Sequence, residues 1–105
     1  ASRSGVRAVL DAGSLPAMSG ALAAAAAGVR TGGDSRNRDF AERHVDIGAV
    51  PDDVVALAYD PQTAGGLLVS LPAEKAAVLE ATFSAAGLFL QRIGRVESGT
   101  GVALG

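Results

Sequence analysis

The chain has 105 residues, a formal net charge of −2 and no cysteine. That length holds one domain with a modest core. The charge balance supplies no general field for nucleic acid or an anionic membrane, and the missing thiols exclude disulfides and thiolate metal sites.

Hydrophobic residues make up 49% of the chain and aromatics only 4%. The core is therefore expected from Val, Leu, Ile and Ala, with Phe40, Phe83 and Phe89 as larger fillers. Small side chains bury little area each, at roughly 25 cal/mol per Å². This predicts modest intrinsic stability and an apolar face meant for a partner. No apolar stretch approaches the ~20 residues of a membrane span, and no secretory signal is visible.

In chain order, Ser2–Gly5 reads as a polar loop and Val6–Leu10 as a short strand ended by Asp11-Ala12-Gly13. Leu15, Met18, Leu22, Ala25 and Val29 recur at helical spacing. They predict one alanine-rich helix with Pro16 in its first turn, Gly28 at its stop and the Leu and Met stripe in the core. Thr31–Asp34 is a loop, and a second helix capped by Asp34 or Ser35 runs to about His44. Asp46–Asp53 is a connector holding Gly48 and Pro51.

Val54–Tyr59 fits either a strand or a short helix capped by Asp52 or Asp53. Leu67–Leu71 is expected as a buried strand. Ala73–Ala86 is the clearest helix, with Ala76, Leu79, Phe83 and Ala86 inward and Gly87 ending it. Leu88–Val96 reads as a strand, and Gly99–Gly105 as a closing strand or a frayed tail. Strands alternating with helices in one short chain predict an α+β fold, a mixed β-sheet packed with helices.

Two stretches carry chemistry. The first is Gly32-Gly33 opening a helix that bears Arg36, Asn37 and Arg38. Free N–H groups at a helix start attract anions, and guanidinium groups add charge-assisted hydrogen bonds. The alternative is a solvated basic face after a glycine turn. Asn37 stands out because Asn is neutral at best inside a helix. Its amide suits a buried bridge or a ligand contact.

The second stretch is Asp60-Pro61-Gln62-Thr63-Ala64-Gly65-Gly66. Pro61 fixes its own φ and biases Asp60 toward extended backbone, while Gly65 and Gly66 open the backbone to a partner. Asp60 suits holding Mg²⁺ or orienting a basic group, and Gln62 and Thr63 suit hydrogen bonds to substrate. The competing reading is an Asx-type turn that only braces the loop.

Asp60–Leu68 resembles the Asp-Pro-Gln-Thr-Ser-Gly-Gly-Leu-Leu signature of the selenophosphate synthetase (selenide, water dikinase) family, with Ala64 where Ser is usual. Thr31–Phe40 resembles that family's Gly-Gly-x-x-x-Asn segment. The resemblance implies a C-terminal domain of the aminoimidazole ribonucleotide synthetase-like superfamily, truncated and covering residues 1–105 without its N-terminal ATP-binding domain.

It implies a cytoplasmic parent that makes selenophosphate from selenide and ATP, releasing AMP and phosphate. ATP and Mg²⁺ would be bound in the full-length homodimer and not in this fragment. The family's nucleophilic Cys or selenocysteine, its partner Lys and a magnesium-linked Asp-x-Thr-Gly-Phe-Gly motif are not in this sequence. Catalytic residues are therefore expected elsewhere in the parent, with the fragment inactive alone. Gly33, Arg36, Asn37, Asp60, Gln62, Thr63, Gly65 and Gly66 become candidates for substrate or phosphate contact.

Other chemistry finds little support. His44, the single histidine, lacks companions for a metal site. No Gly-x-Ser-x-Gly elbow or Walker-type loop occurs. The rival readings are a non-catalytic α+β binding module and another synthetase or kinase of the same superfamily.

Overall fold

The computed structural model describes residues 1–62 and 64–105. Four strands form one mixed sheet: β1 (Val6–Leu10), β2 (Val45–Ile47), β3 (Gly94–Ser98) and β4 (Gly101–Leu104). Their spatial order is β2-β4-β1-β3. β1 runs antiparallel to β3 and parallel to β4, and β2 is parallel to β4. Four α-helices accompany them: α1 (Ala21–Ala26), α2 (Asp34–Ala41), α3 (Asp52–Tyr59) and α4 (Ala73–Ala85). This is the expected α+β architecture.

Alternation along the strands divides the sheet's two faces. Ala8 pairs with Val96 and Val102, and Leu10 with Gly94 and Leu104, so one face is aliphatic. The opposite face carries Arg7 with Glu97, and Val9 with Arg95 and Ala103. Arg7 is ion-paired to Asp46 of β2. Charged residues therefore crowd the second face, and their pairing keeps it from being a field of one sign.

α1 packs on α3, and α2 also contacts α3. The buried hydrophobic residues are Ala25, Val55, Ala56 and Leu104. Three of these lie in α1 and α3, so the helix pair forms one small core and β4 supplies the other buried anchor. The Cα radius of gyration is 14.8 Å, against about 13 Å for a compact domain of this length. Much apolar surface accordingly stays uncovered.

Several expectations are corrected. The helix drawn from Leu15 to Val29 shrinks to Ala21–Ala26. Pro16 holds Leu15 extended (φ −68°, ψ 122°), and Gly20 turns left-handed at φ 82°, so helical hydrogen bonding cannot run through either. Its stripe is mostly outside the core: Met18 is 86% exposed, and Ala25 alone of the five is buried.

Val45–Ile47, read partly as connector, forms β2. Leu67–Leu71 is not a strand, and Leu67 is 95% exposed. The strand read at Leu88–Val96 begins only at Gly94. No side-chain cap closes α2 or α3. The predicted α2 and α4 are present, the ambiguous Val54–Tyr59 is helical, and Gly101–Leu104 is a strand inside the sheet.

Candidate functional site

The site is built where α2, α3 and the loop after α3 converge. α3 ends at Tyr59, and Asp60 takes extended backbone (φ −63°, ψ 123°), as the following proline requires. Pro61 then crosses the start of α2. A Cβ placed on Gly33 would lie 2.7 Å from Pro61 Cγ, so only glycine admits this crossing. One turn further along α2, the Asn37 side-chain amide donates to the Tyr59 carbonyl at 2.8 Å. The two polar motifs, separated in sequence by β2 and α3, are thus joined by a steric fit and a hydrogen bond.

An ion network frames the junction. Arg38 Nε donates to Asp34 Oδ2 at 3.0 Å, its guanidinium sits 5.4 Å from the Tyr59 ring centroid, and it lies 3.4 Å from Asp52. Arg30 donates to Asp52 at 2.8 Å and to the Ala25 carbonyl at 2.6 Å. Arg30 therefore ties the end of α1 to the start of α3, and Arg38 ties α2 to both Asp52 and Tyr59. The hydrogen bond from Arg30, aided by the charge of Arg38, holds the Asp52 carboxyl below its ordinary value of 3.8.

Asp34 Oδ1 is buried without a hydrogen-bond partner among the described residues. Asp34 lines a cleft of about 230 Å³ together with Arg30, Thr31, Leu57 and Asp60. A larger hollow of about 500 Å³ lies over the sheet near Arg7, Asp46 and Arg95 and touches neither motif. Arg7 and Asp46 there neutralise one another, so the smaller cleft is the better candidate.

The sequence candidates fall into distinct places. Gly33, Asn37 and Asp60 come together at the junction. Arg36 is exposed on α2, and Gln62, Gly65 and Gly66 lie exposed on the loop. Gln62 folds back, its Oε1 3.5 Å from where a Gly65 Cβ would stand. Thr63 lies outside the described residues. Asp34 sits in the first turn of α2, where its charge opposes an incoming anion and complements the helix dipole. No group of three His, Asp or Glu stands together among the described residues.

Arg30, Asp52 and Tyr59 were missed as site residues by sequence reading. Arg30 and Asp52 are 22 positions apart, and no local spacing rule links them. Tyr59 acts through its carbonyl and ring, and its place beside Asp60 was the one available signal.

No family model matches the chain. Among curated proteins it is 42% identical over 73 residues to a selenide, water dikinase of Caldanaerobacter subterraneus, covering 70% of this chain and 21% of that protein. It is 38% identical over 96 residues to selenide, water dikinase 2 of Peptoclostridium acidaminophilum, covering 90% and 28%.

The chain is related to the selenide, water dikinases.

A third such relative, from Aeromonas salmonicida, is 38% identical over 98 residues, 93% of this chain and 28% of its own length. The chain thus spans about a quarter of the length of the selenide, water dikinases it matches. The sequence resemblance and the comparisons agree on the family. No helix among the described residues is long and apolar enough to cross a membrane.

Proposed function

We propose that this chain is the C-terminal domain portion of a selenophosphate synthetase. The parent transfers a phosphoryl group from ATP to selenide and cleaves the remaining phosphoanhydride bond with water, giving selenophosphate, AMP and phosphate. The observation that carries the reading is the junction itself. The two family-like motifs meet in space through Gly33 against Pro61 and Asn37 on the Tyr59 carbonyl. Relatedness to selenide, water dikinases over most of the chain supports it independently.

In this reading Gly33 and Asn37 set the position of the Asp60–Gly66 loop. Asp60, Gln62, Thr63, Gly65 and Gly66 present polar and bare-backbone groups to the substrate, and Arg36 offers a cation to phosphate. Phosphoryl transfer rests on positioning and on neutralising spread negative charge. The parent would use Mg²⁺ for that neutralisation. On the family resemblance, we assign the metal to the N-terminal part of a cytoplasmic, homodimeric parent. Catalytic residues are assigned there too.

The test is ³¹P NMR of the purified full-length parent supplied with selenide and MgATP. A selenophosphate resonance with stoichiometric AMP supports the reading. ATP consumption that is independent of selenide contradicts it and favours another kinase of the superfamily.

A further inference from the structure

Asp34 and Asp60 stand on different elements, in the first turn of α2 and just after α3, yet both line the cleft of about 230 Å³. One side chain connects them. Arg38 Nε donates to Asp34 Oδ2 at 3.0 Å. Its guanidinium also lies over the ring of Tyr59, the residue before Asp60, 5.4 Å from the centroid. That distance is within the range of a cation–π contact. The neighbouring Asn37 holds the Tyr59 carbonyl at 2.8 Å. Two successive residues of α2 therefore grip Tyr59, one by its main chain and one by its ring. A third contact of Arg38, to Asp52 at 3.4 Å, carries less weight. The Asp52 side chain is 73% exposed and the Asp34 side chain only 14%, and exposed ion pairs contribute little.

The geometry points to Arg38 as a positioning residue for the parent's reaction: its guanidinium bonds Asp34 through its edge and holds Tyr59 under its face, and so sets Asp60 relative to Asp34 in the cleft. This rests on the proposed function, in which Asp60 is turned to the substrate. Arg38 touches no substrate in this role; its effect passes through Tyr59. A planar guanidinium offers an edge and a face together, whereas a lysine ammonium is a point charge on a flexible stem. Lysine at this position would keep the charge and lose the simultaneous hold on Asp34 and the ring.

Selenide-dependent ATP turnover of the full-length parent tests this with Arg38→Lys, Tyr59→Leu and the two combined, each assayed at a temperature where it remains folded. Each single variant should lower kcat by roughly 10- to 100-fold, the cost of a misplacement of about 1 Å or less, with KM for selenide unchanged. The double variant should be no slower than the slower single, because both changes remove one contact. Wild-type turnover in Arg38→Lys would overturn the inference, since charge alone would then suffice. Losses that multiply in the double variant, or a KM that rises with kcat intact, would overturn it too. NMR of the parent labelled in arginine supplies a readout besides activity. Arg38 side-chain protons should be shifted upfield by the Tyr59 ring and return to ordinary positions in Tyr59→Leu; unshifted protons in the wild type would contradict the contact. A wild-type parent without selenide-dependent turnover sinks the proposed function, and the NMR then decides the hold of Arg38 on Tyr59 by itself.

Discussion

Gly33 and Pro61 are in contact because Gly33 has no side chain: a Cβ there would stand 2.7 Å from Pro61 Cγ. The Gly33 backbone itself is ordinary, at φ −91°, so an alanine would be strained by the neighbour and not by its own dihedral. Gly33→Ala should therefore destabilise the chain by about 1–3 kcal/mol, the usual range for an overpacked contact. Pro61→Ala made in the same chain should recover much of that loss. A double-mutant cycle read by urea unfolding should give a coupling of at least about 0.5 kcal/mol. Additive effects would place the cost elsewhere.

Asn37 is part-buried, and its amide is the partner of the Tyr59 carbonyl. Removing the donor leaves that carbonyl unsatisfied, which costs about 1–3 kcal/mol. Asn37→Asp keeps the shape, loses the donor and sets a carboxylate oxygen against the carbonyl. It should be at least as destabilising as Asn37→Ala in urea titrations of the 105-residue chain. A neutral Asn37→Asp would show that the hydrogen bond contributes nothing.

Asp52 predicts an acid response. Hydrogen bonding from Arg30 holds its carboxyl below 3.8 in the folded chain. A lowered folded value favours the folded state above the ordinary carboxylate value. That contribution fades as pH falls through the lowered value and is gone below both. Asp52→Asn should flatten the part of the stability–pH curve just below about pH 4 and leave the slope near neutrality unchanged. Side-chain carboxyl NMR of Asp52 should titrate below the unfolded-chain value. A titration at or above that value would remove the claimed role of Arg30.

The 105-residue chain should not turn over ATP by itself, since the nucleophile, its partner Lys and the magnesium-linked motif that the family resemblance implies are not in this sequence. Steady-state ATP consumption by the purified chain, abolished by chelating Mg²⁺, would contradict this.

How far the fold could be read in advance depended on what covers each segment. β1 matches its expected span because Val6–Leu10 carries strand-forming residues and pairs on both sides. α2 and α4 were legible from their polar and alanine-rich composition and from Gly87. Val54–Tyr59 stayed open because a short apolar run fits either period; as α3, its Val55 and Ala56 are buried. Leu67–Leu71 and Leu88–Leu90 misled, because apolar composition signals burial only where a partner surface is present; Phe89 is 73% exposed. β2 was hidden by its three-residue length and its central Asp46. Of the site, Asn37 and Asp60 were nominated by residue type and motif, whereas the Arg30–Asp52 and Arg38–Tyr59 contacts depend on how α1, α2 and α3 pack.

The most direct measurement pairs turnover with thermal stability in the full-length parent carrying Asn37→Ala. If Asn37 positions the Asp60–Gly66 loop for catalysis, selenide-dependent ATP turnover should fall at least about tenfold, equivalent to about 1.4 kcal/mol of barrier, at a temperature where the variant remains folded. Turnover that falls only in step with the folded fraction would contradict the account and leave the junction a structural brace.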